Sequence, residues 1–559
     1  MNRRRIRAVD VVPLIGQLRH YSARWARADI VAGFATAVTL LPQGLAFGAL
    51  AGLSPVAGLY TALGAATIFA LLTATRFVAV GPSSAMALLT FAVVHGQAGG
   101  GDRAVALTAA LSFLVGVGCL LVAVLPLQGV ADFLSGPVML GYLAGLGIQL
   151  FAGQVGTLLG IPTPGSEPLV KLWHVLTHLE QAKALTAMMG LGAVAALMVL
   201  GRYLTGVPAG LVVCVLAIAI SAAVGLADQG VAVVGPAVGG LPAITWPQVT
   251  LEDLWALLLP AVGMTLVASV ETFSAVRQAG AEADGRISLD RETAALGAAS
   301  LVTGMLTGFP PMASTSRTLS ARSSAHSQLF QLIAAGIVAF VLFTGGPLVA
   351  LLPMPVLAAI LVVGAPKLID VTGLRWLWRG WRAEGVIALV AVAGVLGLGV
   401  LRGLLIAVIL SASQLIRRAA RPHDSLLAII DEGHPPQEIA DGDASPHPDI
   451  LIYRVDAPLF FANARRVRQR VLALVTAREP RPRCVICDMQ AVFYVDATAA
   501  DALAQLTAEL QALGCRLVLA RVREPVLAVL RANPYHDGAT QRLPVFPGVR
   551  QAFTAVREP

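Results

Sequence analysis

Gly308-Phe309-Pro310-Pro311-Met312-Ala313-Ser314-Thr315-Ser316-Arg317 places a helix break, three hydroxyls and an arginine inside a largely apolar chain. Two consecutive prolines remove two amide donors and disfavour helix before them, so a helix can start afresh at about Met312 with its first N–H groups unpaired. Such free amides attract anions. Ser314 and Ser316 add donors, Thr315 lies between them, and Arg317 adds a fixed positive charge at the positive end of a half-helix dipole. The stretch reads as an anion site buried in a bundle of apolar helices.

The surrounding composition sets that stretch in a membrane. Of 559 residues, 57% are hydrophobic and only 13% charged, and the mean hydropathy is +0.76. Soluble globular chains of this size do not reach that value. Apolar blocks of spanning length recur from Asp29 to about Ile416, since a helix needs ~20 apolar residues to cross the hydrocarbon. The net charge of +8 does not indicate nucleic acid, because the basic residues collect in the amino-terminal arm, at span ends and in the tail. Arg3, Arg4, Arg5, Arg7, Arg19, Arg24 and Arg27 precede the first span and hold that end in the cytoplasm. No short apolar core with a cleavage site follows them, so the first span is expected to be retained.

The first apolar segment, Ile30 to Ala51, contains Leu41-Pro42-Gln43-Gly44, which predicts a broken helix; breaks of this kind survive in a bilayer where they line a cavity. Phe47 lies one turn after Gln43, so both can face one side. Packing is the alternative role for this pair. A second glycine-proline helix start, Val80-Gly81-Pro82-Ser83-Ser84-Ala85, resembles the first stretch. Counting segments gives seven spans between residues 29 and 226 and seven more between 250 and 420. In each set the proline-hydroxyl motif falls in the third segment, as inverted repeats require. Their half-helices then point amino ends at each other near the midplane. With both termini inside, Arg76, Arg202, Arg277 to Arg291, Arg322, Arg375 to Arg382 and Arg417 to Arg421 lie at cytoplasmic ends, outnumbering Arg103, Lys171, Lys183 and Arg402 outside.

Residues 1–28 therefore form a basic arm, 29–420 the membrane domain, 421–448 a proline- and aspartate-rich linker and 449–559 a soluble domain. The last alternates strand patterns at Ile450 to Val455, Arg483 to Met489 and Cys515 to Ala520 with helix patterns, which predicts a small α/β sandwich. Cys484-Val485-Ile486-Cys487 has metal-knuckle spacing, but in a strand residues three apart face opposite ways. Nine histidines show no metal-ligand spacing, and neither a phosphate loop nor a nucleophile elbow is present. An enzyme, a metal site and a cofactor are not expected.

Asp29-Ile30-Val31-Ala32-Gly33, Leu41-Pro42-Gln43-Gly44-Leu45-Ala46-Phe47, Ala51-Gly52-Leu53-Ser54-Pro55, Thr75-Arg76 and Val80-Gly81-Pro82 form a long ordered series that resembles the SulP or solute-carrier-26 anion transporters. Glu292, Ala295, Leu296 and Gly297 resemble the family's ninth-span entry, and Ser314-Thr315-Ser316-Arg317 the start of its tenth span. Ala457-Pro458-Leu459-Phe460-Phe461-Ala462-Asn463-Ala464 and Val495-Asp496-Ala497-Thr498 are similar to the signatures of its carboxy-terminal STAS domain. The resemblance implies an all-α domain of fourteen spans in seven-plus-seven inverted repeats, an elevator-like movement and a homodimer in the cell membrane. It implies an anion pocket of Gln43, Phe47, Ser83, Ser84, Ser314, Thr315, Ser316 and Arg317.

Glu271 completes the implied site from the eighth span. It lies either deep in that span or near its end, where Arg277 follows. Desolvation favours a neutral carboxyl, so a buried glutamate there can take up a proton with the anion, making proton symport the expected mechanism. Sodium-coupled members have aspartate at this position and threonine four residues on, where this chain has Ala275, so a sodium partner is disfavoured. Sulfate is the first expected substrate, with bicarbonate or a C4-dicarboxylate next. Arg317 has a structural alternative, snorkelling to the interface. In the tail, Ala497 stands where soluble STAS proteins carry a phosphorylatable serine, leaving Asp496 in a structural or partner-binding loop. The alternative function is a membrane-anchored, anion-sensing scaffold that recruits a cytosolic partner through the STAS domain.

Overall fold

A computed structural model of the chain describes residues 13–18, 21–98, 101–125, 135–163, 168–203, 208–235, 240–242, 244–278, 288–430, 435–440, 446–532 and 540–557. Arg3, Arg4, Arg5, Arg7 and Arg19, and linker residues 431–434 and 441–445, lie outside these residues. The chain divides into two compact units, Met1–Ser411 and Ala412–Pro559.

The first unit is helical. Its leading set of segments is Ala23–Leu50, Pro55–Leu72, Ser84–Ala98, Gly101–Val124, Gly136–Leu159, Ala184–Tyr203 and Ala209–Val224, taken here as the first to seventh spans. The second set is Leu251–Gln278, Leu289–Met305, Thr315–Arg322, Leu329–Thr344, Met354–Gly364, Arg382–Leu398 and Val400–Ala419, the eighth to fourteenth, the last of which runs past the unit's end at Ser411. Eight helices in the described residues are long and apolar enough to cross a membrane by length and composition. Packing obeys the repeat. The first span packs on the eleventh and the eighth on the fourth; the fifth packs on the thirteenth and the twelfth on the sixth. Exchanging the two sets maps each pair onto the other, as a pseudo-twofold axis in the membrane plane demands.

Several sequence expectations are corrected. The first span is one unbroken helix with Pro42 inside it. Proline is tolerated there because its ring is buried and faces the seventh span, where a Cβ at Gly210 would lie 3.4 Å from Pro42 Cγ. Met312 belongs to a strand, and the tenth-span helix begins at Thr315. The apolar stretch from Pro347 to Ile369 is divided into Gly346–Ala350, Met354–Gly364 and a 3-10 turn at Ala365–Leu368, since Pro353 and Pro355 interrupt the amide ladder. Two further helices, Pro168–Thr177 and Val371–Gly380, follow the fifth and twelfth spans at equivalent places in the two repeats. Both are too short to cross a bilayer.

Close approach is set by small residues. At the crossing of the first and second spans, a Cβ on Gly58 would fall 1.8 Å from Gly44 O, so the helices touch backbone to backbone. Charged side chains then tie loops to helix ends. Asp29 accepts hydrogen bonds from Tyr21 Oη at 2.7 Å and from the His326 and Ser327 amides at 2.6 and 3.2 Å. Glu292 accepts from the Ala74 and Thr75 amides at 2.9 and 3.3 Å and from the Thr73 hydroxyl. Both carboxylates are fully buried, and each satisfies donors that a loop would otherwise leave unpaired.

The second unit carries a six-stranded sheet. With β1 Val80–Gly81 and β2 Met312–Ala313 in the first unit, its strands are β3 Asp424–Ala428, β4 Gln437–Ile439, β5 Ile450–Val455, β6 Cys484–Asp488, β7 Arg516–Ala520 and β8 Val545–Phe546. The order is β4-β3-β5-β6-β7-β8, with β5 to β8 parallel and β3 antiparallel to both of its neighbours. Strands β3 and β4 fall in residues read as linker, and β8 was not anticipated; a three-residue and a two-residue edge strand are too short to show period-two patterning. Helices Ala464–Thr476, Ala497–Ala512 and Glu524–Ala532 cover one face, and Val549–Arg557 the other. Alternation along β6 places Cys487 in the first layer and Cys484 in the second, so the pair cannot share a metal.

Candidate functional site

The two proline-hydroxyl motifs meet within the first unit. Strands β1 and β2 pair antiparallel, Val80 opposite Ala313 and Gly81 opposite Met312. Each strand runs directly into a helix, Ser84–Ala98 and Thr315–Arg322, so the two helix starts lie on either side of a shared two-residue ladder. The local reasons are readable. Ser83 Oγ accepts from the Met86 amide at 3.2 Å, and Ser314 Oγ accepts from the Arg317 amide at 3.5 Å. Each serine thereby caps its helix. Ser314 Oγ also lies 3.3 Å from Ser316 Oγ.

Arg317 crosses this junction. Its Nη2 donates to Pro82 O at 3.1 Å and its Nη1 to Gln43 Oε1 at 3.4 Å. One side chain thus joins the first, third and tenth spans. The residue is only 7% exposed, which rules out snorkelling to the interface. Among the described residues no carboxylate pairs with it. Gly81 makes the crossing possible: a Cβ there would sit 3.4 Å from Arg317 Nη2. An unpaired guanidinium beside two helix starts and several hydroxyls is an arrangement suited to an anion, since the anion supplies the missing negative charge.

Gln43 and Phe47 are both half-buried on the unbroken first span, and Gln43 reaches the junction without the expected helix break. Ser83, Ser84, Ser314 and Thr315 are half-buried and Ser316 is exposed. Glu271 is half-buried, about two turns before its helix ends at Gln278. That helix packs on β2 and on both half-helices. Glu271 has neither a hydrogen bond nor a counter-ion among the described residues.

Sequence reasoning missed the brace behind β1. Gln328 and Gln331 each donate to Val78 O at 3.0 Å, Gln331 Oε1 accepts from the Val80 amide at 3.3 Å, and Thr318 Oγ1 accepts from the Ala79 amide at 3.1 Å. The signal was available: two glutamines three apart at the start of an apolar helix are neighbours on one face. In the tail, Asp496 caps Ala497–Ala512 by accepting from the Ala499 amide at 2.8 Å and also accepts from the Phe461 amide at 2.9 Å, which is the structural use of that loop.

The sequence matches the model of the sulfate permease family over residues 27–391 and that of the STAS domain over residues 443–552. A probable sulfate transporter of Mycobacterium tuberculosis is 36% identical over 546 residues, covering 97% of this chain and 98% of the relative. Sulfate transporter 1.1 of Arabidopsis thaliana is 27% identical, covering 94% and 85%. Among solved structures, the murine solute carrier 26 family member A9 anion transporter in the inward-facing state superposes with a TM-score of 0.91 at 20% identity, over 100% of this chain and 96% of that one. The transmembrane domain of a cyanobacterial bicarbonate transporter, BicA, gives 0.59 at 22% identity, over 70% and 98%. These two likenesses establish the fold. The relatives are named as transporters rather than enzymes, and with a family model matched over more than half its length the chain belongs to the sulfate permease family of anion transporters, joined to a STAS domain.

Proposed function

We propose that the protein is a proton-coupled sulfate symporter of the cell membrane, with both termini cytoplasmic, and that its anion sits at the junction of the two half-helices. The observation that carries this reading is the Arg317 guanidinium, buried beside Pro82 and Gln43 with no carboxylate partner among the described residues. A tetrahedral dianion offers acceptors on every side. It would take hydrogen bonds from Arg317, from free amides of the third and tenth spans and from the hydroxyls of Ser83, Ser84, Ser314, Thr315 and Ser316. Gln43 and Phe47 close the pocket from the first span. Neutral solutes gain nothing from the fixed charge.

Glu271 is the proposed proton carrier, because it lies on the helix behind both half-helices and lacks a partner among the described residues. Protonation there would offset one charge of the entering dianion. An elevator-like movement fits the packing: the first four spans pack mainly on the eighth to eleventh, while the fifth and sixth pack on the twelfth and thirteenth. The first group would carry the site against the second, in a homodimer. Bicarbonate or a C4-dicarboxylate is the next substrate class.

Uptake of labelled sulfate into proteoliposomes, with and without an inward proton gradient and with bicarbonate, fumarate and chloride as competitors, tests this. Sulfate uptake that rises with the gradient is expected. Gradient-independent sulfate uptake would remove the proton, and bicarbonate or fumarate uptake without sulfate uptake would replace the substrate.

A further inference from the structure

Val371–Gly380 is a ten-residue helix capped by Asp370, whose Oδ1 accepts from the Gly373 amide at 2.8 Å. At roughly 15 Å it is half the length needed to cross the hydrocarbon. Trp376, Trp378 and the following Trp381 are each more than half exposed, and Arg375 and Arg379 lie one turn apart on it. An arginine-bearing helix with tryptophans at its surface belongs at the headgroup level of a bilayer.

Between this helix and the thirteenth span lies a cavity of about 320 Å³. Its surface is almost wholly apolar, from Trp378, Gly385, Leu389 and Val392, and the exposed Arg375 and Arg379 flank it. Glycine is required at 385, where a Cβ would come within 2.9 Å of Trp378 Cε3, so its absence lets the indole lie against the span. Leu389 is 57% and Trp378 53% exposed, so the cavity opens to the outside of the helical unit, where a spanning helix faces lipid. Neither arginine has a carboxylate partner among the described residues.

Charge and lining together select the ligand. A small soluble anion would leave the apolar floor bare, and a zwitterionic lipid would bring its own cation beside two guanidiniums. We infer that this cavity binds an anionic phospholipid, with its phosphate on Arg375 and Arg379 and the start of an acyl chain along Leu389 and Val392. The site is separate from the anion junction, and its test does not read transport.

Native mass spectrometry of the full-length protein in detergent, incubated with phosphatidylglycerol, with phosphatidylcholine, or with phosphatidylglycerol plus inorganic phosphate, provides that test. Phosphatidylglycerol adducts should exceed phosphatidylcholine adducts about tenfold, because both lipids carry the phosphate and only choline sets a cation beside the two guanidiniums. The double variant Arg375→Ala/Arg379→Ala should lose that preference. Leu389→Trp, which fills the apolar end with both arginines intact, should lower occupancy too, while Arg202→Ala at the end of the sixth span should leave it unchanged. Equal adducts of the two lipids, undiminished phosphatidylglycerol binding in both cavity variants, or an equal loss in Arg202→Ala overturns the proposal. Complete displacement by inorganic phosphate overturns it as well, by showing a site for a free anion.

Discussion

Arg317 Nη1 lies 3.4 Å from Gln43 Oε1, across 274 residues of chain, and this single hydrogen bond joins the first span to the tenth. It joins the two repeats directly at the half-helix junction. The amide oxygen holds the guanidinium without neutralising it, so the charge remains available to a ligand while its position is fixed.

Arg317→Ala should therefore abolish labelled sulfate uptake in proteoliposomes, and Arg317→Lys should leave a small fraction, because a lysine keeps the charge but cannot reach Gln43 and Pro82 O together. Gln43→Ala should raise KM by roughly tenfold, the scale of one hydrogen bond to a charged group. Full activity in Arg317→Ala would remove the proposed site.

Glu271→Gln keeps the shape of a neutral carboxyl and cannot release a proton. The expected result is sulfate uptake that no longer responds to an inward proton gradient, with exchange of internal for external sulfate retained. If the variant still accelerates under the gradient, another group carries the proton.

How much of this was legible in the sequence differs residue by residue. Gly81-Pro82 and Pro310-Pro311 announced two helix restarts because proline removes the amides a continuing helix needs, and both restarts are present. Pro42 announced a third, wrongly: one missing amide inside a buried, well-packed helix does not break it. Gln43 reaches Arg317 from an unbroken helix, so the helix break was the wrong reason for singling it out. The contact of Arg317 with Pro82 was invisible, since Pro82 contributes only a backbone oxygen. Val371–Gly380 went unread because ten residues carrying two arginines are too few to count as a span. In the tail, β5 to β7 were readable from their apolar runs, whereas β4 and β8 contribute too few residues each and β3 lies inside the stretch read as linker.

Glu292→Ala should destabilise the protein without entering the anion junction. Its carboxylate accepts from the Thr73 hydroxyl and the Ala74 and Thr75 amides, and its removal leaves these donors unpaired in a buried setting. A loss of about 3 kcal/mol follows from the usual cost of such groups. Thermal unfolding in detergent should show a lower midpoint that added sulfate only partly restores.

Burial pushes the thiols of Cys484 and Cys487 up to about 12 and that of Cys515 to about 11. A raised thiol stays protonated at pH 8, well below its folded value, and only the thiolate is nucleophilic. A thiol reagent at pH 8 should leave all three unmodified in the native protein and label them upon unfolding. Prompt labelling of the native chain would show that the sheet layers are open.

Asp488 tests whether the STAS domain is part of the transport machinery or a modulator of it. Its carboxylate is fully buried and accepts from Arg454 Nε and Arg521 Nε at 2.9 Å each, from Arg521 Nη2, and from the Gln490 amide at 3.2 Å. Asp488→Ala strands two guanidiniums at the ends of β5 and β7, and breaking a buried pair in this way typically costs about 3–5 kcal/mol. Hydrogen exchange across β5, β6 and β7 in the full chain should accelerate, while the membrane spans keep their protection. If sulfate uptake persists in that variant, the tail modulates a transporter that works without it. Loss of uptake with intact spans would show that the sheet itself is required for movement of the site, and a chain that never moves solute yet captures a cytosolic protein through an intact sheet would establish the scaffold.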